Sequence, residues 1–209
     1  MIETLGNKGV FFGIFAGFIA IRGIFSLIAH HSGLSSSFEN DHSTKQKEQK
    51  GNPIISIIVI ICVLALFVFY GAFPENRNIL IVPLPDWLHW LGLALGIISL
   101  AQQIWVHITL QKNWLAAKKS GKNNVIIASG PYFWIRHPLY MTLILLLIGL
   151  SLVSGFSMFL LLTLLSIPFF NNVARKEEEI MVQQFGDEYR KYMIYTGRFI
   201  PRLGFRSGK

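Results

Sequence analysis

Residues Leu139 to Phe170 form a run of thirty-two residues without a charged side chain. A helix crosses the hydrocarbon layer of a membrane, about 30 Å thick, with about 20 apolar residues, so this run is too long for one span. Ser154-Gly155 near its middle is typical of a turn. The sequence therefore predicts a helical hairpin in a membrane, with a first arm of about 15 residues that is short for a full crossing.

Three further apolar runs precede this hairpin, at Gly9–Ala29, Ile54–Phe73 and Trp87–Thr109. The first is longer than the apolar region of a secretory signal and has no clear cleavage site after it, so we interpret it as a span. Hydrophobic residues make up 52% of the 209 residues, which is too many for an ordinary soluble domain. We predict an all-α, polytopic membrane protein with about five transmembrane helices and a cytoplasmic C-terminal helix.

The orientation prediction comes from the lysines and arginines between the runs. The segment after the first run has three, residues 110–138 have five and residues 172–209 have eight, whereas the other side has only Lys8 and Arg77. Sixteen cations against two place residues 110–138 and 172–209 in the cytoplasm.

Two regions follow from this layout. We expect residues 1–109 to form an N-terminal region of three spans with a mobile polar loop at 30–52, and residues 110–209 to form a C-terminal region, which the family resemblance described below implies to be catalytic.

The net charge of +8 does not indicate nucleic-acid binding, because the cations lie in loops between apolar runs. The single cysteine, Cys62, excludes an intramolecular disulfide and a cysteine-based metal cluster. His30, His31 and His42 have no partner at a convincing ligand spacing, so we expect solvated histidines and no metal site.

Polar residues inside two spans need an explanation. Snorkelling toward the membrane surface explains Arg22, with intramembrane pairing as the alternative. Gln102, Gln103 and His107 lie near one another on the third predicted helix. They either line a site or form hydrogen bonds between helices.

The segment from Ser129 to Tyr140 reads Ser-Gly-Pro-Tyr-Phe-Trp-Ile-Arg-His-Pro-Leu-Tyr. Gly130-Pro131 is typical of a turn, and Pro138 keeps His137 out of the helical region while favouring a helix start. An interfacial anchor is the ordinary explanation for such a segment. Its rigid, polar character indicates a functional loop equally well, so both interpretations stay open at this point.

Residues 172–196 have the apolar spacing of an amphipathic helix, with Met181, Phe185, Tyr189 and Tyr192 on one face. Arg175 and Glu179 share a neighbouring face, as a solvated ion pair would. Three glutamates, Glu177 to Glu179, lie directly below a span, where anionic lipid head groups repel them. A purely solvated surface role therefore explains them less well than a functional role does.

Four features occur in a fixed order: Gly-Pro-Tyr with Arg-His-Pro-x-Tyr, an apolar hairpin, an Arg-x-x-x-Glu helix and a terminal Arg-Phe-Ile-Pro. Together they resemble the isoprenylcysteine carboxyl methyltransferase family and the broader set of membrane phospholipid methyltransferases. The resemblance covers roughly residues 110–203.

The resemblance implies S-adenosylmethionine as the cofactor, with Arg175 as the catalytic, acceptor-side cation. The cofactor contacts that it implies are Asn124, Val125, Ile126, Ile127, Tyr132, His137, Pro138, Leu139, Tyr140 and Glu179. Two positions depart from the family pattern: Asn124, where histidine is common, and Thr142, where glycine is common.

The implied partners are a lipophilic or lipid-linked acceptor, such as the carboxylate of a prenylated cysteine, and membrane lipids. Two alternatives stay open at this point. One is an NADPH-dependent sterol-type reductase, which has a similar Arg-His loop, and the other is a non-catalytic membrane adaptor.

Overall fold

A computed structural model describes residues 2–31, 64–72, 80–119 and 125–202 of the chain. Its helices in chain order are α1 (Ile2–His31), α2 (residues 64–72), α3 (Asp86–Lys119), α4 (Pro138–Ser154), α5 (Ser157–Phe185) and α6 (Asp187–Tyr195). Pairing of extended backbone in these residues is limited to two isolated bridges. The predicted all-α membrane fold is confirmed.

Three of the described helices have the length and apolar composition of membrane spans: Lys8–His31, Asp86–Ala117 and Ser157–Phe185. α4 is apolar but shorter, as expected for the first arm of the hairpin. Only residues 64–72 of the predicted second span are described, and they are helical. The count of five spans, the two-region division and the cytoplasmic orientation stay predictions.

Contacts along the helices show their relative directions. Gly96 lies against Ile14, and Gln103 bonds the Phe18 carbonyl, so α1 and α3 run parallel. α4 runs antiparallel to α3, because Ser99 Oγ donates to the Thr142 carbonyl at 3.0 Å while Gly92 meets the far end of α4. The C-terminal ends of α1, α3 and α5 therefore lie at the same end of the bundle as the start of α4.

The crossing of α3 and α4 depends on two glycines. A Cβ at Gly92 would lie 2.8 Å from the Gly149 carbonyl oxygen, and one at Gly149 would lie 2.9 Å from the Gly92 oxygen. Small residues allow the backbones of two membrane helices to come into contact. Van der Waals packing then stabilises the helix pair, because the hydrophobic effect does not drive helix association inside a lipid bilayer.

Aromatic packing fills the end of the bundle that contains the α4–α5 turn. The Phe11 ring contacts Tyr70 at 4.7 Å and Phe159 at 4.9 Å between centroids. Tyr70 also contacts Phe156 at 5.3 Å. This cluster joins α1, α2 and the α4–α5 turn at the end remote from the Arg136-His137 loop.

The C-terminal part differs from the sequence prediction. We predicted a hairpin arm ending at Phe170 and one amphipathic helix over 172–196, but α5 continues through Asn171 to Phe185. The predicted amphipathic helix is instead broken at Gly186, which has a φ of 57° and allows α6 to start in a new direction. α5 therefore carries its glutamates rigidly below the apolar part of the bundle.

Candidate functional site

The loop before α4 starts with a short 3₁₀ helix, Gly130–Phe133. Gly130 has a φ of 58°, and a Cβ at this position would lie 2.6 Å from Thr109 Oγ1. Only glycine allows both the backbone conformation and this approach to α3. Pro138 is at the start of α4, as predicted, so the loop is fixed at both ends.

The C-terminal segment pairs with this loop through the backbone. The Arg136 amide donates to the Gly197 carbonyl at 2.8 Å, and the His137 amide donates to the Arg198 carbonyl at 3.1 Å. The Gly197 amide returns a bond to the Trp134 carbonyl at 3.2 Å. The Arg-His-Pro loop and the terminal Arg-Phe-Ile-Pro segment, distant in sequence, thus form one unit.

Glu178 on α5 joins this unit to the bundle. Its Oε1 accepts from Arg136 Nε at 2.8 Å, from His137 Nε2 at 3.1 Å and from Arg198 Nε at 3.1 Å. Its Oε2 accepts from Arg198 Nη2 at 2.7 Å. Glu178 is only 3% exposed, so these bonds compensate a carboxylate that has lost its water. We call Glu178, Arg136, His137 and Arg198 the charged cluster.

Both arginines of the cluster make further bonds. Arg136 Nη1 donates to the carbonyls of Met193 and Thr196, which ties the loop to the end of α6. Arg198 Nη1 donates to Asn171 Oδ1 on α5 at 2.7 Å. The hydrogen bond with Glu178 raises the pKa of Arg198, so that side chain is permanently charged.

His137 faces two carboxylates. Nδ1 lies 3.3 Å from Glu177 Oε2, and Nε2 lies 3.1 Å from Glu178 Oε1. Burial lowers the pKa of His137, but the hydrogen bonds with Glu177 and Glu178 outweigh it and raise the pKa above 6.5. With an acceptor at each ring nitrogen, the imidazolium is the favoured form.

Glu177 is the more accessible of these two acids. Its side chain is 39% exposed, and its Oε1 accepts from the Tyr140 hydroxyl at 2.5 Å. The Tyr140 ring stacks on His137 at 5.6 Å and on Phe170 at 5.3 Å between centroids. Ring contacts and a hydroxyl bond therefore already hold Tyr140 in place.

Tyr192 of α6 supports the loop. The Tyr192 hydroxyl donates to the Tyr132 carbonyl at 2.6 Å. Burial raises the pKa of Tyr132 and of Tyr189, so both phenols stay neutral. The 3₁₀ helix is thereby fixed to α6 as well as to α3.

The structure brings five of the residues predicted for the site together. His137, Pro138, Leu139 and Tyr140 surround the start of α4, with Tyr132 on the preceding 3₁₀ helix. Val125, Ile126 and Ile127 are half-buried in the segment that leads to the loop. Asn124 lies outside the described residues.

Arg175 and Glu179 lie on α5, and among the described residues neither side chain bonds the charged cluster. Both are exposed, whereas Glu178 between them is buried. Among the described residues, no ion pair joins the two side chains.

Sequence reasoning missed Glu178, Arg136 and Arg198 as interacting site residues. A signal for Glu178 was present, because the apolar face through Met181 and Phe185, extended back by one turn, reaches Glu178, and a second turn reaches the buried Ala174. Nothing local indicates the partners of Arg136 and Arg198, since their bonds to Glu178 span 42 and 20 residues.

Of the two roles considered for the polar residues of α3, hydrogen bonding between helices is observed for Gln103. Gln103 Nε2 donates to the Phe18 carbonyl on α1 at 3.2 Å, which is a hydrogen bond between helices. The His107 ring stacks on Phe25 of α1 at 5.0 Å. This face of α3 is therefore turned to α1.

Comparison with known proteins adds to this geometry. Residues 87–188 match the phospholipid methyltransferase family. The cobalt-zinc-cadmium resistance protein CzcN of Cupriavidus metallidurans is 31% identical over 125 residues, which cover 59% of this chain and 55% of that protein.

Two further relatives each match about half of the chain. The protein-S-isoprenylcysteine O-methyltransferase of Schizosaccharomyces pombe is 30% identical over 53% of this chain and 49% of its own. The nickel-cobalt-cadmium resistance protein NccN of Alcaligenes xylosoxydans xylosoxydans is 31% identical over 47% of each chain. The chain spans about half the length of the curated relatives it matches. The resemblance found in the sequence is confirmed.

Proposed function

We propose that this chain, whose residues 87–188 belong to the phospholipid methyltransferase family, is an integral-membrane methyltransferase that uses S-adenosylmethionine. The acceptor that we propose is lipophilic or lipid-linked, and the site faces the cytoplasm. One observation carries the proposal. Within the family-matching region, buried Glu178 fixes the Arg136-to-Tyr140 loop against α5 at the end of an apolar helix bundle.

The residues of this loop suit a cofactor that is both cationic and polar. S-adenosylmethionine supplies an electrophilic methyl group on a sulfonium, whose loss leaves a neutral thioether. Half-buried Val125, Ile126 and Ile127 offer an apolar wall, and Tyr132 offers an aromatic ring. Pro138 and Leu139 complete the proposed contacts at the start of α4, and Asn124 stays a proposed contact.

The geometry changes the roles that we propose for the acids. Both ring nitrogens of His137 face carboxylates, so His137 acts by holding Glu177 and Glu178 in place. Glu178 is saturated by its three partners, whereas Glu179 is exposed and bonds none of them. Glu177, half-exposed and oriented by Tyr140, is therefore our proposed carboxylate for the polar groups of the cofactor, in place of Glu179.

Arg175 keeps its proposed role toward the acceptor. It is exposed on α5 close to the charged cluster in sequence, where a lipid-borne anion can reach it from the membrane surface. A guanidinium holds a carboxylate through two parallel hydrogen bonds, and so orients it. The loop and hairpin then contribute proximity and exclusion of water, which strengthens attraction between an anionic acceptor and a cationic methyl donor.

The acceptor class can be tested in membranes that contain the overproduced protein. We expect methyl label from S-adenosylmethionine to enter the organic-extractable fraction, and Tyr140→Phe with Glu177→Gln to reduce this transfer. The exposed pair of Arg190 and Asp187 supplies a control, since Arg190→Gln should leave transfer unchanged. Absence of label from every lipid-soluble acceptor, with the protein folded, would contradict the proposal.

A further inference from the structure

Three buried polar atoms lie in a line along α3. In the part of the chain that the structure describes, the buried side-chain nitrogens and oxygens without a hydrogen-bond partner are Gln103 Oε1, His107 Nε2 and Gln111 Nε2. These residues are separated by four positions each, so they share one helix face and rise by about 6 Å per step. Polar atoms without partners are rare in folded proteins and costly inside a membrane.

The orientation of Gln103 is determined by its neighbour on α1. Because Nε2 donates to the Phe18 carbonyl, which cannot donate in return, Oε1 is the free acceptor of this amide. His107 stacks on Phe25, also on α1, and its Nε2 is buried without a hydrogen-bond partner. Gln103 and His107 therefore lie along the seam between α1 and α3, and Gln111 continues the same face of α3 by one more turn.

Arg22 adds a positive charge to this seam. It follows Phe18 by four residues and precedes Phe25 by three, so it lies on the same face of α1 as both. Its charge acts on the His107 ring. Among the described residues, no carboxylate forms an ion pair with Arg22. The Arg22 side chain is exposed on the surface of the bundle, so an amphiphile in the surrounding membrane can reach it.

The seam opens at the end of the bundle that holds the charged cluster. Gln111 is two residues before Asn113, whose side chain bonds Ser129 Oγ at 2.9 Å in an exposed position. Gln103 lies about 12 Å further along the helix axis, within the apolar part of α3. A polar path thus runs from the loop surface into the membrane.

We propose that Arg22, Gln103, His107 and Gln111 form a binding seam for an oxyanion, either carboxylate or phosphate, carried by a membrane amphiphile. Arg22 supplies the countercharge, and the Gln111 amide with the His107 ring supplies hydrogen-bond donors. Gln103 Oε1 accepts from a hydroxyl of the same head group or from water bound with it. This seam does not depend on the proposed methyl transfer, since none of its residues belongs to the proposed cofactor or acceptor contacts.

Cysteine labelling measures access to the seam directly. In a Cys62→Ala background in phosphatidylcholine nanodiscs, His107→Cys and Gln111→Cys should react with water-soluble methanethiosulfonates. Ile104→Cys and Ile108→Cys are the matched controls, because both isoleucines are exposed on the other faces of α3. We expect seam positions to react at least about tenfold faster than the controls, and faster with the anionic reagent than with the cationic one.

Removing the countercharge should change this pattern selectively. Arg22→Gln should abolish the preference for the anionic reagent at Gln111→Cys, whereas Arg190→Gln, a charge-matched change on exposed α6, should not. Equal labelling of seam and control positions would overturn the proposal. An unchanged preference for the anionic reagent in Arg22→Gln would also overturn it. If His107→Cys does not fold, Gln111→Cys still provides the test, because Gln111 is half-buried at the loop end of the seam.

A protection experiment identifies the source of the anion. Phosphatidylglycerol in the nanodisc should slow labelling of Gln111→Cys, and Arg22→Gln should remove this protection. Inorganic phosphate alone should not protect, because the amphiphile's tail contributes to binding. Protection by free phosphate to the same extent, or none by phosphatidylglycerol, would contradict a membrane amphiphile as the ligand.

Discussion

The two ends of the helix bundle are held together by different physical interactions. At the end that contains the α4–α5 turn, Phe11, Tyr70 and Phe159 pack ring against ring, and Gly92 meets Gly149 at backbone distance. At the other end, one buried carboxylate, Glu178, bonds Arg136, His137 and Arg198. Apolar packing is non-directional, whereas hydrogen bonds to charges have fixed geometry. The first end builds a stable bundle, and the second end orients a loop.

The largest effect that we expect comes from Glu178→Ala. Removing Glu178 leaves the buried Arg136 and its neighbour Arg198 without their carboxylate, and breaking a buried ion pair typically costs about 3–5 kcal/mol. Thermal unfolding of both proteins in the same detergent measures this loss of stability. Glu179→Ala, one residue away but exposed, should change stability by no more than about 0.5 kcal/mol. Similar losses in both variants would contradict the difference between the buried and exposed faces of α5.

At the apolar end, we expect Gly92→Ala to destabilise by about 1–3 kcal/mol, because its Cβ would lie 2.8 Å from backbone atoms of α4. Gly23→Ala is the control, since no atom lies within 4 Å of a Cβ at that position. Unfolding of both variants by the same assay checks the prediction. Unchanged stability of Gly92→Ala would show that α3 and α4 are not closely packed at this crossing.

Arg175→Lys separates a role toward the acceptor from surface charge. If Arg175 orients an anion by two parallel bonds, lysine keeps the charge but loses this geometry, so turnover should fall by about tenfold or more. Cofactor affinity should stay the same. Side-by-side measurement of cofactor binding and methyl transfer decides, and near-native turnover would remove Arg175 from the proposed site.

A smaller effect should appear in the pH dependence of stability. The folded protein raises the pKa of His137 above 6.5, so protonated His137 contributes stability that is fully present below pH 6.5. This contribution is lost as the pH rises through the raised pKa. Unfolding measured across neutral to alkaline pH should therefore show a decline that His137→Gln lacks. Parallel profiles for the two proteins would argue against an imidazolium between Glu177 and Glu178.

The sequence predicted the apolar part of the fold better than the site, for physical reasons. Runs such as Leu139–Phe170 identify membrane helices from composition alone, and Ser154-Gly155 marked their turn. α5 continues past Phe170 although the sequence becomes polar there, because apolar residues such as the buried Ala174 recur with the helical period. The helix then ends at Gly186. Glu178 could be found by extending the apolar face back by one turn. Its partners could not, since only the folded chain brings Arg136 and Arg198 together.

Binding of labelled S-adenosylmethionine to the purified protein tests the central claim most directly. The account predicts saturable binding that excess NADPH does not displace. It also predicts that Glu177→Gln weakens binding by roughly ten- to a hundredfold, as expected for loss of a charge-assisted hydrogen bond, while Glu179→Gln does not. Absence of S-adenosylmethionine binding together with saturable binding of NADPH would contradict it and favour a reductase.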